Sequence, residues 1–228
     1  YTYENETDNY QQDHYQLIYT GKVGTNWKTN LALHYTYGRG YYEQFRENDR
    51  LSRYGLPNVV IGGETISRTD IIRRRWLDND FYGFTYALKY QKNKFNTTLG
   101  GAWNKYDGDH FGEVIWARFM GTDGNIRHRY YDNTGTKTDF NVYLKTEFQA
   151  TTKLGLFADL QYRQIDYTII GLEEDKGEVD WGFDYQFFNP KVGLNYRLAD
   201  NQQLYASFSI ANREPTRGNF IDNNEMPE

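Results

Sequence analysis

The sequence predicts an all-β chain: an antiparallel transmembrane β-barrel segment of about eight strands, with short periplasmic turns and long extracellular loops. Three observations predict it. About eight stretches alternate apolar and polar residues with period two, the repeat of a strand whose successive side chains point to opposite faces. The gaps between them alternate between about four residues and roughly 20 to 40, the disparity expected between the two ends of a membrane barrel. No apolar run is long enough to cross a bilayer as a helix, and a closed barrel is the other structure that satisfies every backbone group in lipid.

The elements follow in order. Residues 1–11 are polar and read as the tail of an earlier loop. The first strand, about 12–22, carries Tyr15, Leu17 and Tyr19 on one face, with Ile18 breaking the pattern on the other. Residues 23–26 turn the chain. The second strand sends Leu31, Leu33, Tyr35 and Tyr37 outward and Asn30, His34 and Thr36 inward. A long loop is expected over about 38–80, where Pro57, Gly62 and Gly63 are loop residues, with a small strand at 58–61. The third strand has Phe84, Tyr86, Leu88 and Tyr90 on one face, and 91–94 turn. In the fourth, Phe95, Thr97, Leu99, Gly101 and Trp103 oppose Asn96, Thr98, Gly100 and Asn104. A second loop is expected at about 105–136.

The fifth and sixth strands alternate most clearly. Phe140, Val142, Leu144, Thr146 and Phe148 interleave with Asn141, Tyr143, Lys145, Glu147 and Gln149. After a turn at 150–153 come Leu154, Leu156, Ala158, Leu160 and Tyr162, against Gly155, Asp159, Gln161 and Arg163. A third loop, about 166–185, holds an acidic run. The seventh strand carries Val192, Leu194, Tyr196 and Leu198, residues 199–202 turn, and the eighth carries Leu204, Ala206, Phe208 and Ile210. The leucines Leu88, Leu144, Leu156, Leu160 and Leu194 are expected to face lipid, with Leu156 near mid-membrane. Lys145, Glu147, Asp159, Gln161 and Arg197 are expected to face a lumen.

Composition is compatible with this layout. A mean hydropathy of -0.89 is too polar for transmembrane helices, but half of each barrel strand faces water. Aromatic residues reach 18%, with 22 Tyr. That excludes a disordered chain and suits the membrane–water interface, where Tyr and Trp concentrate. It also suits a Tyr-rich soluble β-sandwich, though such a fold has shorter strands with turn signals every 8 to 12 residues. Cys is absent, which excludes thiol chemistry. With 26 basic and 31 acidic residues, nothing points to nucleic acid. No signal peptide is visible and the first residue is Tyr1, so the chain is expected to be processed or excised.

Two segments carry a family resemblance: HYTYGRGYYEQF at 34–45 and NPKVGLNYRLADNQQLYASFSIANREPTRGNF at 189–220. The second has a strand opening with Asn-Pro-Lys, a turn, a Leu-Tyr-Ala-Ser strand and an Arg-Glu-Pro-Thr-Arg sequence. With them the chain resembles the barrel region of TonB-dependent outer-membrane receptors, most closely those of the Bacteroidetes group. The resemblance implies a barrel of about 22 strands around an N-terminal plug. It implies ligand capture from outside the Gram-negative cell and energy delivered by TonB through that plug. Residues 1–228 are then a middle-to-late slice of the barrel, with plug and last strands absent, stopping at Pro227 and Glu228 in an external loop.

No catalytic constellation is visible, and neither an enzyme nor a cofactor is expected. His34 reads as a satisfied lumen residue. His110 and His128 share one expected loop, but no HxxxH or carboxylate partner supports a metal site. The acidic run Glu173, Glu174, Asp175, Glu178 and Asp180 can bind Ca²⁺ or be a solvated loop. The triplet Arg73, Arg74 and Arg75 can meet lipopolysaccharide phosphates or an anionic ligand, or be a polar loop base.

Loop aromatics with nearby arginine suit a ferric chelate, which is anionic and often aromatic. The candidates are Tyr41, Tyr42, Arg46, Trp76, Tyr106, His110, Tyr130, Tyr131 and Trp181. Arg213, Glu214 and Arg217 are candidates for lumen or plug contact, because Pro215 cannot donate to a ladder and regular pairing should end there. The function expected is active transport of a scarce nutrient such as a ferric siderophore. The partners expected are membrane lipid, lipopolysaccharide and the TonB system. The alternative is a soluble or surface carbohydrate-binding β-domain; a β-scaffold hydrolase has only unpaired carboxylates to offer.

Overall fold

The computed structural model describes residues 3, 6–121 and 127–222. The expected loop at Pro227 and Glu228 lies outside them. In chain order the strands are β1 (Asp8–Val23), β2 (Trp27–Arg50), β3 (Val59–Ile61), β4 (Glu64–Ile66), β5 (Arg68–Lys92), β6 (Phe95–Ala117), β7 (His128–Gln149), β8 (Leu154–Glu173), β9 (Gly177–Ala199) and β10 (Gln202–Ser209). A 3₁₀ turn (Leu51–Tyr54) follows β2, and a short helix, α1 (Arg217–Asp222), follows β10. Eight strands form one antiparallel sheet in the order β1-β2-β5-β6-β7-β8-β9-β10, while β3 and β4 form a separate hairpin. The sheet is open, since β1 and β10 each pair on one side only.

Every expected strand is present, but the ladders run well past the expected ends. β2 has 24 residues, β5 25, β6 23 and β9 23, against the roughly 9 to 11 that cross a bilayer. The spans 38–80, 105–136 and 166–185, expected as loops, are therefore largely paired strand. The connection between β8 and β9 keeps only residues 174–176. The reason is physical. Apolar alternation reports a buried or lipid-covered face, and it fades where both faces are polar although backbone pairing continues. The small strand expected at 58–61 is β3, paired with β4.

Register aligns the apolar residues into cross-strand rows on one face. Leu17, Leu33, Phe84, Trp103 and Phe140 form one row. Leu88, Leu99, Leu144, Leu160 and Pro190 form another. Leu144, Leu156, Leu160 and Leu194 are 39–43% exposed, and apolar exposure this continuous marks a membrane or protein interaction surface. Aromatic pairs border it. Tyr15 stacks on Tyr35 and Tyr82 meets Trp103 at the upper edge. Trp27 meets Tyr90 and Phe95 stacks on Phe148 at the lower edge. Tyr35 and Trp27 are separated by about 26 Å of strand, which a barrel tilt of about 40° projects to roughly 20 Å, somewhat less than the height of a membrane-barrel apolar band. The carbohydrate-binding alternative offers no reason for such a girdled band.

The opposite face is polar. Lys145, Asp159 and Lys191 alternate in sign along one row. Asn96 donates to Glu147 at 2.8 Å, and His34 lies 2.8 Å from Asn104 Oδ1, the satisfied setting expected of it. Gly100 makes room on this face for the Tyr143 ring, which stands where a Cβ would be.

The buried cores also lie on the polar face, where connecting segments fold back onto the upper sheet. Leu51, Tyr54 and Leu56 pack on Ile71, Val114, Tyr130 and Tyr131. Phe220, 1% exposed, packs on Tyr167, Ile169 and Val179. β10 stops at Ser209, before Pro215; Ile210 N–H still donates to Pro190 O at 3.0 Å, and beyond it Asn212 N–H donates to the Asn189 side chain at 2.8 Å. Asn189-Pro190-Lys191 lies inside β9 rather than at its start.

Candidate functional site

The polar face above the girdle carries a ligand-sized hollow. Register places Tyr42, Arg75, Gly112 and Tyr131 in one row and Gly40, Leu77, His110 and Asn133 in the next. From these rows Tyr42, Arg75, Tyr131, Gly40, Leu77 and His110, together with Tyr10, line a cleft of about 550 Å³. Arg75 is its cation. Its guanidinium carbon lies 5.7 Å from the Tyr42 ring centre and 5.4 Å from that of Tyr131, and Nε donates to Tyr131 Oη at 3.2 Å. A guanidinium between phenol rings favours an anionic, aromatic ligand.

His110 forms the cleft floor, above Trp103 on β6 and clear of the girdled band. Burial, helped by the Arg217 charge, pushes its imidazole down to about 4. It is neutral near pH 7 and offers a hydrogen bond, not a charge; Nε2 lies 3.3 Å from Tyr106 Oη. Beyond His110 lies a second cleft of about 470 Å³, lined by Tyr106, Lys137, Arg163, Tyr167 and the Arg213 to Arg217 segment.

A charge cluster closes the top. Glu174, at the β8–β9 tip, accepts from Arg73 Nη1 at 2.6 Å and lies 3.6 Å from Arg75 Nη2 and 3.7 Å from Arg53 Nε. Arg53 belongs to the 3₁₀ turn, so the cluster ties the β2–β5 connection to the β8–β9 tip. Asp49 fixes the same turn, accepting from Tyr54 Oη at 2.8 Å and Arg50 N–H at 2.9 Å. Burial alone would raise the Asp49 carboxyl, but these bonds and the charges of Arg53 and Arg46 hold it below the usual range. A depressed carboxylate stabilises the fold above its unfolded value, about 3.9, and that stability is lost as pH falls through its folded value. A spin label on Ser52→Cys should keep one mobility from pH 7 to 5 and loosen below about pH 4. Asp49→Asn should loosen the label already at pH 7 and flatten this response.

The expected site residues divide. Tyr42, His110 and Tyr131 converge on the first cleft, and Tyr106, Arg213, Glu214 and Arg217 on the second. Tyr41 and Trp76 border the first cleft, but alternation sends their side chains to the outer face. There their rings meet at 4.6 Å, with Arg74 over Tyr41 and Arg39 over Trp76. Tyr130 packs in the core under the 3₁₀ turn. Arg46 pairs with Asp49 at the rim, and Trp181 packs beside Phe220 and its neighbours.

Other expectations are corrected. His110 and His128 do not meet: they lie on β6 and β7, and His128 contacts Tyr54 O at 2.9 Å. Glu173 and Glu174 are buried ion-pair partners rather than a solvated loop. Arg73, Arg74 and Arg75 do not act as one patch, since Arg73 and Arg75 point inward to Glu174 while Arg74 points outward to Glu43. Glu214 and Arg217 find partners within the chain. Glu214 pairs with Lys137, and with Arg163 at 2.9 Å, while Arg217 pairs with Glu173 at 3.1 Å. Sequence reading missed Tyr10, Lys137 and Tyr167 because it drew their strands too short, and it placed Arg163 on a polar strand face without marking it as a site residue.

Long antiparallel strands, a girdled apolar outer face and a polar inner face with clefts define the wall of a membrane β-barrel. The chain belongs to the TonB dependent receptor-like, beta-barrel family, whose profile matches residues 1–226. This is a family of outer-membrane transport receptors rather than of enzymes. Among solved structures, the chain is similar to the ferric-catecholate import receptor Fiu of E. coli K12 in its open form, with a TM-score of 0.65 and 12% identity. The match covers 91% of this chain and 36% of that one, so the chain spans about a third of that receptor's length. No curated protein matches the sequence.

Proposed function

We propose that this chain is a middle-to-late wall section of the barrel of a Bacteroidetes-type TonB-dependent receptor. The receptor takes up a scarce nutrient such as a ferric siderophore across the outer membrane. Energy reaches it from TonB through a plug carried by the rest of the protein, and the outer face contacts lipid and lipopolysaccharide. The observation that carries this reading is the cleft of Tyr42, Arg75, His110 and Tyr131 on the inner face, above a lipid-type band. An anionic chelate with aromatic rings matches its chemistry, since Arg75 supplies charge and the phenols supply ring faces and hydroxyls. Glu174, shared with Arg73 and Arg53, only partly answers the Arg75 charge, and a neutral sugar adds nothing to it.

The test is ligand binding by the intact receptor. Arg75→Gln should weaken binding of an anionic ferric chelate by roughly tenfold or more, the worth of a hydrogen bond to a charged group. Membrane insertion and abundance should stay normal. Unchanged binding of catecholate, hydroxamate and carboxylate chelates alike would remove Arg75 from the ligand site.

A further inference from the structure

The second cleft contains a guanidinium that is only half used. Arg217 Nη2 donates to Asn133 Oδ1 at 2.7 Å and to Glu173 Oε2 at 3.1 Å. Arg217 Nη1 is buried with no partner among the described residues. A buried N–H left unpaired costs free energy comparable to a lost hydrogen bond, and more when the donor is charged. The wall opposite it has been left bare, because a Cβ on Gly135 would lie only 3.2 Å from Nη1.

The charge balance points the same way. Lys137 and Arg163 are answered by Glu214 and Asp139, and Arg217 by Glu173. Arg213 lines the same cleft and has no acidic partner among the described residues. The cleft therefore combines one uncompensated cation, one unpaired guanidinium N–H, the Tyr106 and Tyr167 phenols and the His110 imidazole. Its volume, about 470 Å³, far exceeds the roughly 30 Å³ of a water.

We propose that this cleft is an oxyanion subsite, in which Arg217 Nη1 and Arg213 hold a carboxylate or phosphate-type group. It lies next to the Arg75 cleft, with His110 shared between them. The inference deepens the transport reading by giving the lumen a second anion-holding station. The oxyanion can belong to a solute in the lumen or to an acidic side chain of polypeptide that fills it; the chemistry is the same and the experiment separates the two.

The experiment is citrate titration of the purified intact receptor by calorimetry, with three variants. Arg213→Gln should weaken citrate roughly tenfold or more. Gly135→Asp places a carboxylate against Nη1 from the wall and should abolish citrate binding without lowering the thermal midpoint. Gly135→Ala, adding bulk without charge, should retain most of the binding. If the native oxyanion is part of the polypeptide, citrate will not bind. Arg213→Cys, in a receptor from which any cysteine outside residues 1–228 has been removed, should then react slowly with a charged maleimide, and quickly once Gly135→Asp displaces that segment. Absence of citrate binding together with equal labelling in both backgrounds would overturn the proposal. Uptake is not the readout, so loss of the subsite and loss of the transport reading are separate results.

Discussion

Leu160→Arg in the intact receptor, unfolded from lipid vesicles, should cost about 2 to 4 kcal/mol, the penalty for a cation at mid-bilayer on the lipid face of a membrane barrel. Leu160 shares its row with Leu88, Leu99 and Leu144, between the girdle of Tyr35 and Tyr82 above and that of Phe95 and Phe148 below. Depth matters as much as face. Leu156 was expected near mid-membrane, but it lies in the row of Phe95 and Phe148, at the lower interface. Leu156→Arg should therefore cost only about 0 to 1 kcal/mol. Asp159→Asn, one residue from Leu160 but on the opposite face, should cost less than Leu160→Arg because its side chain stays in a polar, wet environment. Equal costs for Leu160→Arg and Asp159→Asn would mean that the two faces have been assigned wrongly.

Glu174→Gln should produce the second large effect, about 3 kcal/mol, felt at the top of the barrel rather than throughout it. The Glu174 and Arg73 side chains are 6% and 7% exposed, so removing the carboxylate leaves a buried guanidinium without its counter-charge. Arg75 and Arg53 lose part of theirs as well. Local opening limits the penalty, since the 3₁₀ turn and the β8–β9 tip can separate and hydrate Arg73. Hydrogen exchange should therefore quicken at 51–56 and 172–178 and stay unchanged in the girdled halves of β7 and β8. Exchange that rises evenly across the sheet would place Glu174 in a global core instead. Arg53→Gln removes only a partly exposed member of the cluster and should have a much smaller effect.

Much of this fold was legible because a lipid-facing surface imposes a rule on sequence. Leu154 to Tyr162 and Phe140 to Phe148 alternate cleanly since every second side chain must be apolar, and register then follows from the short turns between them. The upper halves of the strands carry no such constraint. From Arg39 to Arg50 and from Arg68 to Asp80, both faces are wet or meet other protein, so charged and apolar residues mix without period and the backbone pairing leaves no trace in composition. The site inherits that blindness. Tyr42, His110 and Tyr131 were recognisable as residue types that suit an anionic chelate. That Tyr41 and Trp76 turn away from them is a matter of parity, readable only once β2 and β5 are known to continue as strands. The partners of Glu214 and Arg217 were invisible for another reason: Lys137, Arg163 and Glu173 are far away in sequence and met only through the fold.

The central claim is that one sheet has a lipid face and a wet, ligand-handling face, and rises out of the membrane above its aromatic girdle. Single spin labels along β8 in the intact receptor in vesicles test it most directly, by comparing collision with oxygen, which concentrates in lipid, and with a water-soluble nickel chelate. Positions 156, 158, 160 and 162 should favour oxygen, and 157, 159, 161 and 163 nickel. Above Tyr162 the alternation should give way to nickel or protein-shielded signals at 164, 166 and 168, because the strand has left the bilayer. Alternation continuing to residue 170, or nickel access at every position from 156 to 163, would contradict the account.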